Sequence, residues 1–182
     1  IIKKKKIKLI YFSTYDLFDG TKKYVRYDEI PSPVTEYGKQ KLMIENFLKR
    51  YLSTAIVIRA SKIISSDLGL IKNWLKSVKN KKKIYPFTNK YLSPVHINDL
   101  FNYTRNLINK NETGLFNVSS NMNYSYYDFI YKIVENNKLD TNLLVPKLSD
   151  ENVMFNSFKN EKKTFITDAN KTLDLITDYK DI

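Results

Sequence analysis

Short apolar runs along this chain alternate with longer segments whose apolar positions recur at helical spacing. Ile7 to Phe12 and Thr54 to Arg59 read as buried strands, each rich in β-branched or aromatic residues. Between them, Thr35 to Tyr51 reads as a helix with Tyr37, Ile44, Leu48 and Tyr51 along one stripe. A second helix is expected around Leu70 to Lys79, carrying Leu70, Trp74 and Val78, followed by a short strand at Ile84 to Phe87. Asn98 is expected to cap a helix that runs to Ile108, and Gly114 to Val118 reads as another strand. Ser125-Tyr126-Tyr127-Asp128 has the form of a capping box and opens a helix with Phe129, Ile130, Ile133 and Val134 inward. Beyond Asn136 the periodicity thins. There Val145-Pro146 closes a strand, and Asn152 to Lys163 reads as a polar loop on the substrate side.

This alternation predicts an α/β fold, a doubly wound Rossmann-like sheet whose later elements form a small α+β lobe. A helical bundle fits less well, because the runs before Ser13 and before Ala60 favour strands.

Candidate chemistry sits where the first strand meets the first helix. Tyr37-Gly38-Lys39-Gln40-Lys41 spaces a phenol and an ammonium four residues apart, which a helix turns onto one face. The preceding strand ends in Ser13-Thr14, so a hydroxyl can stand beside them. A phenol ionises near pH 10 and is a poor acid at neutrality. A cation about 5 Å away, at an effective dielectric of about 20, favours phenolate by roughly 3 kcal/mol. Such a trio suits proton donation to a carbonyl, although tyrosine and lysine at this spacing also suit an ordinary amphipathic helix.

Composition narrows the picture further. The 182 residues are 42% hydrophobic, enough for one sizeable core, and no apolar run has the length of a membrane span. With 0 cysteines there is no disulfide framework and no thiolate metal site, and the one histidine, His96, reads as a packed or hydrogen-bonded residue. Net charge is +12, which raises nucleic acid as a partner. The lysines concentrate in Lys3 to Lys6 and Lys79 to Lys83, near expected element ends, and read as solvated; nucleic-acid binding is not expected.

The ordered motifs resemble the extended short-chain dehydrogenase/reductase superfamily, and within it the dTDP-4-dehydrorhamnose reductase-like, sugar-nucleotide-binding branch. The strand of that branch reads Ser-Thr-Asp-Tyr-Val-Phe-Asp-Gly and its helix Tyr-Gly-x-x-Lys; here they are Ser13 to Gly20, with Tyr15-Asp16 inverted, and Tyr37 to Lys41. The segments at 92–100 and 114–129 resemble its Ser-Pro-x-x-Val-x-Asp-Leu and Gly-x-x-x-x-Ser-Gly stretches, and 164–173 its closing Leu-Asp-x-x-Lys-Leu. The aromatic that often follows the second strand has no counterpart in Arg59 to Ile63.

The resemblance implies that Tyr37 protonates a sugar keto oxygen, that Lys41 assists it and bonds the nicotinamide ribose, and that Thr14 orients the substrate carbonyl, with Ser13 as its neighbour. It implies NADPH or NADH as cofactor, a nucleotide-sugar substrate in surface polysaccharide synthesis, a cytoplasmic location without membrane insertion, and possible homodimer formation. Glycines occur only at 20, 38, 69 and 114, so no G-x-G-x-x-G turn is present. The expectation is therefore an N-terminally truncated chain, 1–182 being the catalytic-helix and substrate-binding part without its dinucleotide-binding half. Two alternatives remain open: a non-catalytic sugar-nucleotide-binding or regulatory subunit, and an epimerase of the same superfamily. A dehydratase is disfavoured, because Tyr15-Asp16 does not supply the Asp-Glu pair expected after the hydroxyl residue.

Overall fold

The computed structural model describes residues 7–65, 69–150 and 152–177, so the Lys3 to Lys6 cluster lies outside the described residues. Its centre is a parallel sheet of four strands, β1 (Ile10–Thr14), β2 (Ile56–Ala60), β6 (Gly114–Ser120) and β8 (Thr164–Thr167), in the order β1-β2-β6-β8. Ile10 pairs with Ile56, Ile56 with Gly114, and Asn117 with Thr164. Alternation then gives the sheet two apolar faces. Helix α1 (Glu36–Tyr51) covers one through Leu48, packed with Leu9, Tyr11, Leu52, Ala55, Val57 and Leu115. Helix α3 (Ile97–Asn109) covers the other, where Leu100 and Leu107 meet Ile56, Ile58, Phe116 and Val118.

The smaller lobe combines β3 (Lys62–Ile64) parallel to β5 (Pro94–His96) with β4 (Tyr91–Leu92) antiparallel to β7 (Tyr124–Ser125). Around them, α2 (Gly69–Lys79), α4 (Tyr126–Asn136) and α5 (Ala169–Thr177) share a core built on Phe129, Ile130 and Ile133, all fully buried. The doubly wound architecture with a small second lobe is the one expected. Among the described residues, no helix is long and apolar enough to cross a membrane.

Several expectations shift in register. In α1 the buried positions are Gly38, Glu45 and Leu48, while Tyr37, Ile44 and Tyr51 are exposed. The helix is rolled relative to the predicted stripe because a glycine must face the strand end and a glutamate has a buried arginine partner beneath it. In α2 the inward stripe is Ile71, Leu75 and Val78, one residue away from Leu70 and Trp74. Residues Ile84 and Phe87 form isolated bridges to Leu144 and Lys147 in place of a strand. The cap of α3 is His96, whose Nδ1 accepts from the Asn98 amide, so Asn98 is inside the helix. Ser125 caps α4 as expected, its hydroxyl accepting from the Asp128 amide at 2.9 Å. The faint final motif contributes β8 and α5.

Candidate active site

The carboxyl end of β1 and the first turns of α1 come together, the place where open α/β sheets bind ligands. Thr14 is the last residue of β1, and its Oγ1 accepts from the Asp16 amide at 3.1 Å, capping the tight turn Tyr15–Leu17. Thr35 caps α1 in the same way, accepting from the Gly38 amide at 3.0 Å. The two caps are pressed together: a Cβ on Gly38 would lie 2.1 Å from the Asp16 carbonyl oxygen. Glycine at this position is therefore what lets the helix start beside the strand end.

Lys41 ties the helix to the strand directly. Its ammonium donates to the Phe12 carbonyl at 2.8 Å and lies 5.5 Å from the centroid of the Tyr37 ring. Tyr37 itself is about half exposed. Thus Lys41 joins Tyr37 to the strand that Thr14 ends. Among the described residues, no hydrogen bond links the three side chains to one another, and Thr14 serves the turn as an acceptor only. Ser13, the neighbouring hydroxyl, is buried on the face toward α1 and has no hydrogen-bond partner among the described residues.

Sequence reasoning missed three members of this site. Tyr11 lies under Lys41, whose ammonium is 4.8 Å from its ring centroid. Burial, then the charges of Glu45 and Tyr37, push the Tyr11 phenol above its ordinary range. Glu45 and Arg59 form a buried ion pair: Arg59 Nε donates to both carboxylate oxygens at 3.1 Å, and Nη2 to Oε2 at 2.7 Å. Period two in β1 places Tyr11 beside Ser13, and Glu45 follows Lys41 by four residues, so both signals were present in the spacing. A pocket of about 620 Å³ opens beside this pair, lined by Leu42, Glu45, Lys49, Val57, Arg59 and Lys163 among others.

Residues 1–156 match the RmlD substrate binding domain family. The chain belongs to that family. Among curated proteins, this member is 28% identical over 138 residues to a probable low-salt glycan biosynthesis reductase of Haloferax volcanii, covering 72% of this chain and 46% of the relative. It is 27% identical over 138 residues to a spore coat polysaccharide biosynthesis protein of Bacillus subtilis, covering 74% of this chain and 48% of that one. The RmlD-family chain thus spans about half the length of both relatives. Its fold matches the dTDP-4-dehydrorhamnose reductase of Bacillus anthracis, a structure in complex with NADP, with a TM-score of 0.85 at 20% identity over 93% of this chain and 64% of that one.

Proposed function

We propose that this chain is the catalytic-helix and substrate-binding part of an NAD(P)-dependent reductase that acts on a nucleotide-linked 4-keto-sugar in polysaccharide synthesis. The observation that carries the reading is Lys41, held by the Phe12 carbonyl between the end of β1 and the Tyr37 ring. Tyr37 then donates its proton to the keto oxygen, which becomes a hydroxyl. Thr14 Oγ1 accepts from the turn through a lone pair, which leaves its O–H to donate to that oxygen, and Lys41, held by the strand, would also meet a ribose hydroxyl of a bound cofactor. A bound nicotinamide cofactor, NADPH or NADH, would supply the hydride.

Lys41 and Tyr37 would meet the ribose end of such a cofactor. Four scattered glycines offer no pyrophosphate turn, so the cradle belongs to a dinucleotide-binding half outside residues 1–182. The edge of β1 away from β2 has no strand beside it among the described residues, and Phe12 there is 44% exposed. An edge strand presents unpaired N–H and C=O groups that template a further strand, which supports that edge as the seat of the missing half.

The complete protein carrying Tyr37→Phe should lose NAD(P)H oxidation with a keto-sugar nucleotide by about two to four orders of magnitude while keeping nucleotide-sugar affinity. Unchanged turnover would rule out Tyr37 as the donor. Sugar-nucleotide binding without any turnover in the complete wild-type protein would favour the regulatory-subunit reading.

A further inference from the structure

Four residues lie in register across the central sheet: Ser13 pairs with Arg59, Arg59 with Asn117, and Asn117 with Thr164. Partners in parallel ladders share a face, and the bond from Arg59 to Glu45 identifies it as the face under α1. Such a row is unusual in position, because the middle of a parallel sheet is normally apolar. Ser13, Arg59 and Asn117 are all buried, Asn117 completely.

These residues also share a deficit. Nine buried side-chain atoms among the described residues have no hydrogen-bond partner within the protein, and five of them are Ser13 Oγ, Arg59 Nη1, Asn117 Nδ2, Asn117 Oδ1 and Thr164 Oγ1. A concentration of that kind on one row differs from scattered imperfections, since buried polar groups in folded proteins are satisfied as a rule. Asn117 needs both a donor and an acceptor, Arg59 Nη1 has two N–H donors that need acceptors, and the two hydroxyls can serve either way.

Charge decides what can meet those needs. Glu45 already neutralises Arg59 through three hydrogen bonds, so the pair carries no net charge that calls for an anion beside Nη1. A cation would meet the guanidinium. A small neutral molecule that both donates and accepts suits every atom of the row, and water is that molecule. Entry is available, because Arg59 and Glu45 also line the pocket of about 620 Å³ beside α1.

We propose that this row binds a line of internal water molecules, fed from the pocket, which bridges Ser13, Arg59, Asn117 and Thr164 beneath α1. The line holds Arg59, and through Glu45 it fixes the roll of the helix that carries Tyr37 and Lys41. It also brings exchangeable protons to Ser13, one residue from Thr14.

A crystal structure of the full-length protein that resolves individual waters is the direct test. Expected are at least two density peaks within about 3.2 Å of the Asn117 amide, bridging it to Arg59 Nη1 and to Thr164 Oγ1. Asn117→Leu should then lower Tm by several degrees, and Asn117→Ser by less, because a hydroxyl keeps one bridge and leaves room for another water. A row without such peaks, whose side chains bond one another directly, overturns the proposal. So does an anomalous peak at Arg59 after a bromide soak, or an Asn117→Leu protein that melts above wild type. If the leucine variant does not fold, the wild-type density decides.

Discussion

Gly38 lies against the carbonyl oxygen of Asp16, so close that a Cβ on the glycine would sit 2.1 Å from it. This contact sets the distance between the turn after Thr14 and the helix that presents Tyr37. Alanine is a better helix former than glycine by about 1 kcal/mol, so propensity alone predicts that Gly38→Ala stabilises the protein. The backbone contact should reverse that sign. Expected is a net destabilisation of about 1–3 kcal/mol in urea unfolding, with reduced NAD(P)H oxidation in the complete enzyme as Tyr37 moves outward. A more stable alanine variant with full turnover would show that the contact relaxes freely.

The Arg59–Glu45 pair is almost wholly buried, its side chains 6% and 8% exposed. Glu45→Gln leaves the guanidinium without its counter-charge and should cost about 3–5 kcal/mol. Replacing both residues together, as Glu45→Leu with Arg59→Met, should cost clearly less than the two single changes added. Urea midpoints for the four proteins measure the coupling, and additive losses would show that the residues act separately.

His96 makes stability depend on acidity. Its Nδ1 caps α3 by accepting from the Asn98 amide, which only the neutral ring can do. Burial, helped by Lys171 and opposed by Asp99, holds its pKa below the ordinary histidine value. The unfolded chain therefore binds this proton more readily than the native one. Stability from this cap is full above the unfolded value of about 6.5 and declines as pH falls through it toward the depressed folded value. His96→Asn, which keeps a capping acceptor, should remove that part of the decline between pH 7.5 and 5.5, as read from urea midpoints. An identical pH profile in the variant would exonerate His96.

Lys41→Met removes the donor to the Phe12 carbonyl and the cation near the Tyr11 and Tyr37 rings. The stability loss should be small, about 1 kcal/mol for one partly exposed hydrogen bond. The activity loss in the complete enzyme should exceed tenfold in kcat/KM, each factor of ten being about 1.4 kcal/mol of barrier. Equal losses of the folded fraction and of turnover would reduce Lys41 to a structural tie.

Local signals carried most of what the sequence revealed. The β1–α1 unit was legible because its apolar run and the Tyr-Gly-x-x-Lys spacing fall within a short stretch, whereas its caps at Thr14 and Thr35 emerged only in the fold. The roll of α1 was not, since it depends on Asp16 and Arg59, which approach Gly38 and Glu45 only in the folded chain. Likewise β8 has four residues and acquires its identity by pairing with Asn117 to Ser120. His96 illustrates the remaining class: its packed role was readable, but its capping bond required knowing where α3 begins.

The order β1-β2-β6-β8 carries a kinetic consequence. Every ladder joins segments far apart along the chain, Ile10 with Ile56, Ile56 with Gly114 and Asn117 with Thr164, and all of them are parallel. Loop closure must precede each pairing, which makes such topologies slow to fold. On the ribosome, β2 remains half-paired until β6 has emerged, and β6 until β8 has followed. During that interval the unpaired strand edges of this sheet are open to neighbours, the condition in which partly folded chains are most prone to aggregate.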